Sequence, residues 1–190
     1  MGADISGLRN LRPSEPLDLN DGIYKDAGEG RPFPRKGRYT LRAPEAFEFG
    51  ETDAGNLRAT IDPIIVDGPS EGFKVRFVRV SNKTFKRGAG LVSWMGDYLR
   101  ACGIKGNLPS DPQEQADLIE GTANTVYTAD LDWKLYDSAR GIDLKGQDKF
   151  PKDDNGEPIP FIEVDGVDDT GNPIKQRLWA NLQVTRFVSA

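Results

Sequence analysis

Residues 127–135 alternate apolar and polar without a break: Tyr127, Ala129, Leu131, Trp133 and Leu135 stand between Thr128, Asp130, Asp132 and Lys134. A period of two puts each set on its own face of an extended strand, and no helix sorts these residues into an apolar and a polar side. The same period recurs along the chain. Tyr39, Leu41 and Ala43 alternate with Arg38, Thr40 and Arg42, and Pro44 closes that strand. Leu57–Asp62 alternates again, with Ile64–Val66 continuing past an irregularity at Pro63. After the turn-rich run Asp67–Gly72, Phe73–Val80 reads as a third strand. The last strand, Leu178–Val188, places Leu178, Ala180, Leu182 and Val184 on one face.

Helical spacing appears between the third and fourth strands. Ser93 is placed to cap a helix reaching Cys102, on which Met95, Tyr98, Leu99 and Cys102 share a face, with Gly103 at its end. Ser110 with Gln113 three residues on resembles a capping box, with Pro112 in the first turn. That helix is expected to run to Glu120 and to bury Ala116 and Ile119. The order β-β-β-α-β-β predicts a mainly β fold with a helical insertion, a five-stranded OB-like Greek-key barrel. A sandwich of similar strand count is the alternative.

Gly and Pro, 34 of 190 residues, concentrate outside these strands. Residues 1–36 carry scattered Pro and Gly with no sustained period and read as a flexible N-terminal arm. Residues 37–190 then form one domain. Within it, residues 137–176 are a long polar loop or hairpin insertion, with turn signals at Asp154-Asn155-Gly156 and Asp169-Thr170-Gly171-Asn172 and a short strand at Pro160–Val164.

The chain has no histidine, which excludes a Ser-His-Asp triad, a Cys-His dyad and any His-ligated metal. One cysteine, Cys102, excludes an intramolecular disulfide and reads as an inert core thiol. Asp130 and Asp132 face one way and could gather Mg²⁺ with Asp137 or Asp143, but alternating acids on a strand are ordinarily solvated. The expectation is no catalytic residue, no metal and no cofactor: a protein that is not an enzyme. Apolar runs are too short to span a membrane, and the N-terminus has no apolar core of a secretory signal, which predicts a soluble, cytoplasmic protein.

Thirty acids against 25 bases give a net charge of −5, a poor balance for a general polyanion binder. The distribution says more. If Tyr39, Leu41 and Ala43 point inward, then Arg38 and Arg42, with Arg58, Lys74 and Arg76 on the next two strands, share the outer face. From Phe73 to Gly96 there are six bases (Lys74, Arg76, Arg79, Lys83, Lys86, Arg87) and no acid. Such a stripe neutralises phosphates and releases counterions. The loop around Phe85 sets a ring between cations. Trp179 falls out of phase with Leu178 and Ala180, beside Arg177. Exposed rings at these places would stack on unpaired bases, whereas Trp94, Trp133 and Tyr136 read as core or rim.

Gly37–Leu41, Val66-Asp67-Gly68-Pro69 with Gly72, Ser93–Gly103 containing Gly-Asp-Tyr-Leu-Arg-Ala, and the closing run Trp179–Phe187 together resemble phage-encoded single-stranded-DNA-binding proteins of OB-fold type. The resemblance spans residues 37–188 and is strongest over 57–103. It implies a protein that coats single strands during phage replication or recombination in the infected cell, with partners among the replication or recombination proteins. Many such proteins recruit partners through an acidic tail. Thr185–Ala190 carries no acid, so that mechanism is not expected here. A phage structural or assembly accessory protein, using the β-domain and arm for protein contacts, is the competing reading. Oligomeric state is open, a homo-oligomer included.

Overall fold

The computed structural model describes residues 33–189. The strands are β1 (Gly37–Arg42), β2 (Glu48–Glu51), β3 (Leu57–Thr60), β4 (Ile64–Ile65), β5 (Arg79–Ser81), β6 (Thr84–Arg87) and β7 (Gly90–Ser93). Helices α1 (Trp94–Ala101) and α2 (Pro112–Glu120) follow, then β8 (Val126–Asp137), β9 (Ile142–Lys145), β10 (Phe161–Val167), β11 (Pro173–Trp179) and β12 (Asn181–Val188). The protein is mainly β, with a curled half-barrel sheet.

β8 is the spine. Its alternation holds through Leu135: Tyr127, Ala129, Leu131, Trp133 and Leu135 are buried, and their neighbours are not. β1 pairs with its first half, β9 continues along the second half, and β12 pairs along its other edge, all antiparallel. β4 extends the sheet beyond β1. A second sheet, β2-β3-β5, joins the first because the chain runs straight from β3 into β4 through Ile61-Asp62-Pro63. One extended segment thus leaves one sheet and enters the other, and the surface curls around the core.

Two aromatic groups fill the interior. Trp133 meets Phe33 and Phe150 edge-on at 5.3 and 5.5 Å. Tyr98, Tyr127 and Phe187 pack mutually with centroids 5.3–6.0 Å apart. The Tyr98 hydroxyl lies 2.7 Å from Thr122 Oγ1, whose own proton goes to the Ile119 carbonyl, so Tyr98 donates.

α1 forms as expected. Ser93 Oγ accepts from the Gly96 amide, and Gly103, with φ of +83°, takes the left-handed turn that ends it. α2 differs in two details. Asp111, not Ser110, caps it, with its carboxylate accepting the Gln113 and Glu114 amides. Gln115 rather than Ala116 is buried beside Ile119, because its amide joins Asn82 to the Pro109 carbonyl at 2.7 Å each.

The expected arm covers residues 1–36. Residues 1–32 lie outside the described residues, while 33–36 are held on the barrel: Trp133 Nε1 donates to the Pro34 carbonyl at 2.8 Å, and the Tyr39 hydroxyl donates to Arg35. The 137–176 segment holds β9 and the β10–β11 hairpin, whose tip is tied by Asp168 accepting the Thr170 and Asn172 amides. The last strand is two strands. It breaks at Ala180, so Leu178 and Trp179 belong to the hairpin and Leu182 and Val184 to the barrel.

Cys102 is half-buried at the end of α1, and burial pushes its thiol up to about 11. Thiolate is therefore scarce at pH 8, and alkylation by iodoacetamide there should be on the order of a hundredfold slower than for an exposed thiol with a pKa of about 8.5, rising with pH. A rate equal to that of a free thiol would contradict the packing described.

Candidate functional site

The third expected strand is where the sequence period fails. Thr60 lies opposite Arg79, but Ile64 lies opposite Lys74, so four steps along one strand face five along the other. The extra residue sits across from Asp62, beside Pro63, whose carbonyl accepts the Val75 amide at 2.8 Å but which has no N–H to give back. Asp62 takes up the slack, its carboxylate accepting the Val78 amide at 3.2 Å. The slip changes which side chains face in. Phe73 and Val75 are buried before it, Val78 and Val80 after it, and Phe77 is turned outward. Strict alternation with Lys74 and Arg76 outside would have put Phe77 in the core.

Phe77 stands at the edge of a groove of about 380 Å³ lined also by Val78, Arg79, Trp94, Gln183, Val184 and Phe187. The groove runs between the bulged strand and β12, where no strand pairing joins the two among the described residues. The β6–β7 hairpin lies behind its wall, beside Trp94. A two-residue turn with Gly88 at its first position (φ +60°) closes this hairpin. Phe85 lies 6.4 Å from Trp94, which packs edge-on against Phe187 at 5.8 Å. The Phe85–Arg87 segment expected as an open loop is thus a strand leaning on the groove wall.

The candidate cations fall into distinct places. Arg42 and Lys74 flank Ile64 across the outer face of the sheet. Arg58 and Arg79 share the outer face of the second sheet, and Lys83 and Lys86 project from the hairpin segment. Arg42, Arg58, Lys74, Arg79, Lys83 and Lys86 form no ion pair among the described residues. Arg76 is half-buried at the bulge. Arg87 is committed elsewhere: it lies over Phe85 and pairs at 2.8 Å with Asp97, a buried carboxylate that Arg100 also holds. Arg38 pairs with Asp130 at 2.8 Å. Arg177 and Trp179 belong to the β10–β11 hairpin, where both lie on Phe161 at 4.8 Å and Arg177 faces Glu163. Neither lines the groove.

The two aspartates weighed for a metal are engaged by protein groups. Asp130 holds Arg38 and Arg186, and the hydrogen bond from Arg38, with that from Arg186, keeps its carboxyl below the usual carboxylate range. Asp132 accepts the Trp133 and Gln147 amides and faces Lys36 at 3.3 Å. Among the described residues, no three Asp, Glu or Cys side chains gather as metal ligands, and no helix is long and apolar enough to cross a membrane.

Sequence reasoning missed Phe77, Gln183 and Phe187 and placed Trp94 in the core or rim. The one available signal was Pro63, whose irregularity was visible but whose effect on the opposite strand was not. No family model, curated protein or solved structure matches the chain.

Asp130→Asn removes the carboxylate that holds Arg38 and Arg186 on the outer face. The variant should elute from heparin at higher salt than the parent, because two guanidinium groups lose their competitor. Unchanged or earlier elution would show that this pair contributes nothing to the surface potential met by polyanions.

Proposed function

We propose that the protein binds single-stranded DNA without catalysis and with little sequence preference, as its resemblance to phage strand-coating proteins implies. One observation carries this reading. The acid-free segment from Phe73 to Gly96 forms the bulged strand, the β6–β7 hairpin and the start of α1; the bulged strand and the start of α1 line one groove with an outward aromatic ring, and the hairpin sets Phe85 beside its Trp94 wall. Cations track a phosphate backbone, and rings accept bases whatever their identity. A duplex hides its base faces, so this pairing of features favours an unpaired strand.

The finer fold reading also rests on connectivity. Following neighbours across both sheets gives the order β12, β8, β1, β3–β4, β5, with the helices between the third and fourth barrel strands. Counted as five strands this is 5-4-1-2-3, the order of an OB-like barrel left open along the groove. A phage origin, a role in replication or recombination and a cytoplasmic location follow the same proposal.

The competing assembly reading draws on the β10–β11 hairpin, which exposes Val167 and Ile174 towards its tip. Apolar side chains on such a hairpin suit a protein contact. They do not account for the acid-free segment.

The test is anisotropy of labelled oligo-dT at several salt concentrations, with duplex DNA as competitor. Lys83→Ala/Lys86→Ala leaves Arg87 on Asp97 and so spares the hairpin. Each single-strand phosphate contact contributes about 0.7 to the log–log salt slope, so losing two should flatten it by about 1.4 and weaken binding. Absence of binding at low salt, or full competition by duplex, would overturn the proposal.

A further inference from the structure

Phe77 combines three features that seldom coincide. Its φ is +60°, in the left-handed region that bulky side chains rarely adopt. The residue is 51 % exposed, although it carries a large apolar side chain on a strand otherwise well packed. It also edges the groove of about 380 Å³, inside the roughly 300–1,000 Å³ span of small-ligand clefts. Packing offsets little of the backbone strain, since the residue is half exposed. Strain of this kind persists where surrounding structure over-determines it, and it clusters at ligand-binding positions. Here the determinants are Pro63 and the Asp62 carboxylate on the Val78 amide, which fix the bulge whatever residue occupies position 77.

We infer that Phe77 is the principal base-stacking platform of the protein, and that the groove between it and Trp94 seats one unpaired nucleobase. The inference rests on the single-strand reading above and names the part of the surface that receives a base. The chemistry suits that occupant. Phe77 presents an aromatic face, and Trp94 and Phe187 form an apolar wall. Arg79, exposed and without an ion pair among the described residues, stands beside the ring to meet the adjoining phosphate. By contrast, the rings expected to stack are each leaned on another aromatic: Phe85 on Trp94, Trp179 on Phe161. A protein partner's apolar side chain would gain nothing from the neighbouring cations, and an anion alone would gain nothing from the ring.

The experiment compares the parent with Phe77→Asn, Phe77→Leu and Phe77→Tyr. Asparagine tolerates the left-handed conformation, leucine keeps apolar bulk without a π-face, and tyrosine keeps the face. Each is measured for thermal midpoint and for binding to oligo-dT and to an abasic oligomer of equal length. Stacking on one base corresponds to about 1–3 kcal/mol, or about 5- to 150-fold in affinity. The expected result is that loss for oligo-dT in Phe77→Asn and Phe77→Leu, retention in Phe77→Tyr, and little change towards the abasic strand. Phe77→Asn should melt no lower than the parent, because strain is relieved where little packing is lost. Parent-like binding of oligo-dT by Phe77→Leu would overturn the stacking role while leaving the single-strand reading in place. Failure of the parent to bind either oligomer would overturn both.

Discussion

Everything in this molecule is hung on β8. Nine residues of unbroken alternation, 127–135, present five buried side chains on one face, and both edges of the strand are paired. Its inward residues reach both aromatic groups: Trp133 at one, Tyr127 at the other. A one-residue slip would reverse every side chain, exposing Leu131 and burying Asp130 and Asp132. The register is therefore fixed by burial, and the outer face is fixed with it. Asp130 then sits between Arg38 and Arg186, so the middle of this face is largely self-neutralised.

That self-neutralisation gives the remaining cations their meaning. Arg38, Arg140, Lys175 and Arg186 each find a carboxylate. The bases along the bulged strand and the β6–β7 hairpin find few, because the sequence supplies no acid there. The bulge matters as much as the charge. Two proline-linked effects, a missing N–H at Pro63 and a carboxylate on the opposite amide from Asp62, turn one aromatic residue out of the core and into a cationic neighbourhood. Local backbone chemistry, rather than composition, makes the groove.

The sequence disclosed what obeys a period. β1, β3 with β4, β8 and α1 are legible because burial enforces regular spacing, and the outward placing of Arg38, Arg42, Arg58 and Lys74 follows directly. Features that break the period were hidden. Phe77 looked like core since nothing in Phe73–Val80 announces the extra residue. β12 conceals a second slip: a bulge between Val184 and Arg186 brings Phe187 inward and leaves Arg186 outside. Leu178–Val188 looked continuous, yet its first residues pair with β10, because the β10–β11 hairpin competes for them. Long-range partners were equally invisible. Arg87 carries no local sign that it ends on a buried Asp97, and Trp179 none that it lies on Phe161.

The proposed function places a single strand along the bulged strand, the β6–β7 hairpin and the adjoining edge of β12. Amide hydrogen exchange with and without a saturating oligo-dT tests it most directly, since binding slows exchange where backbone is covered or stiffened. The account predicts slowed exchange over residues 76–87 and 183–187, with the β10–β11 hairpin unchanged. Protection confined to that hairpin, or no protection anywhere at saturation, would contradict it.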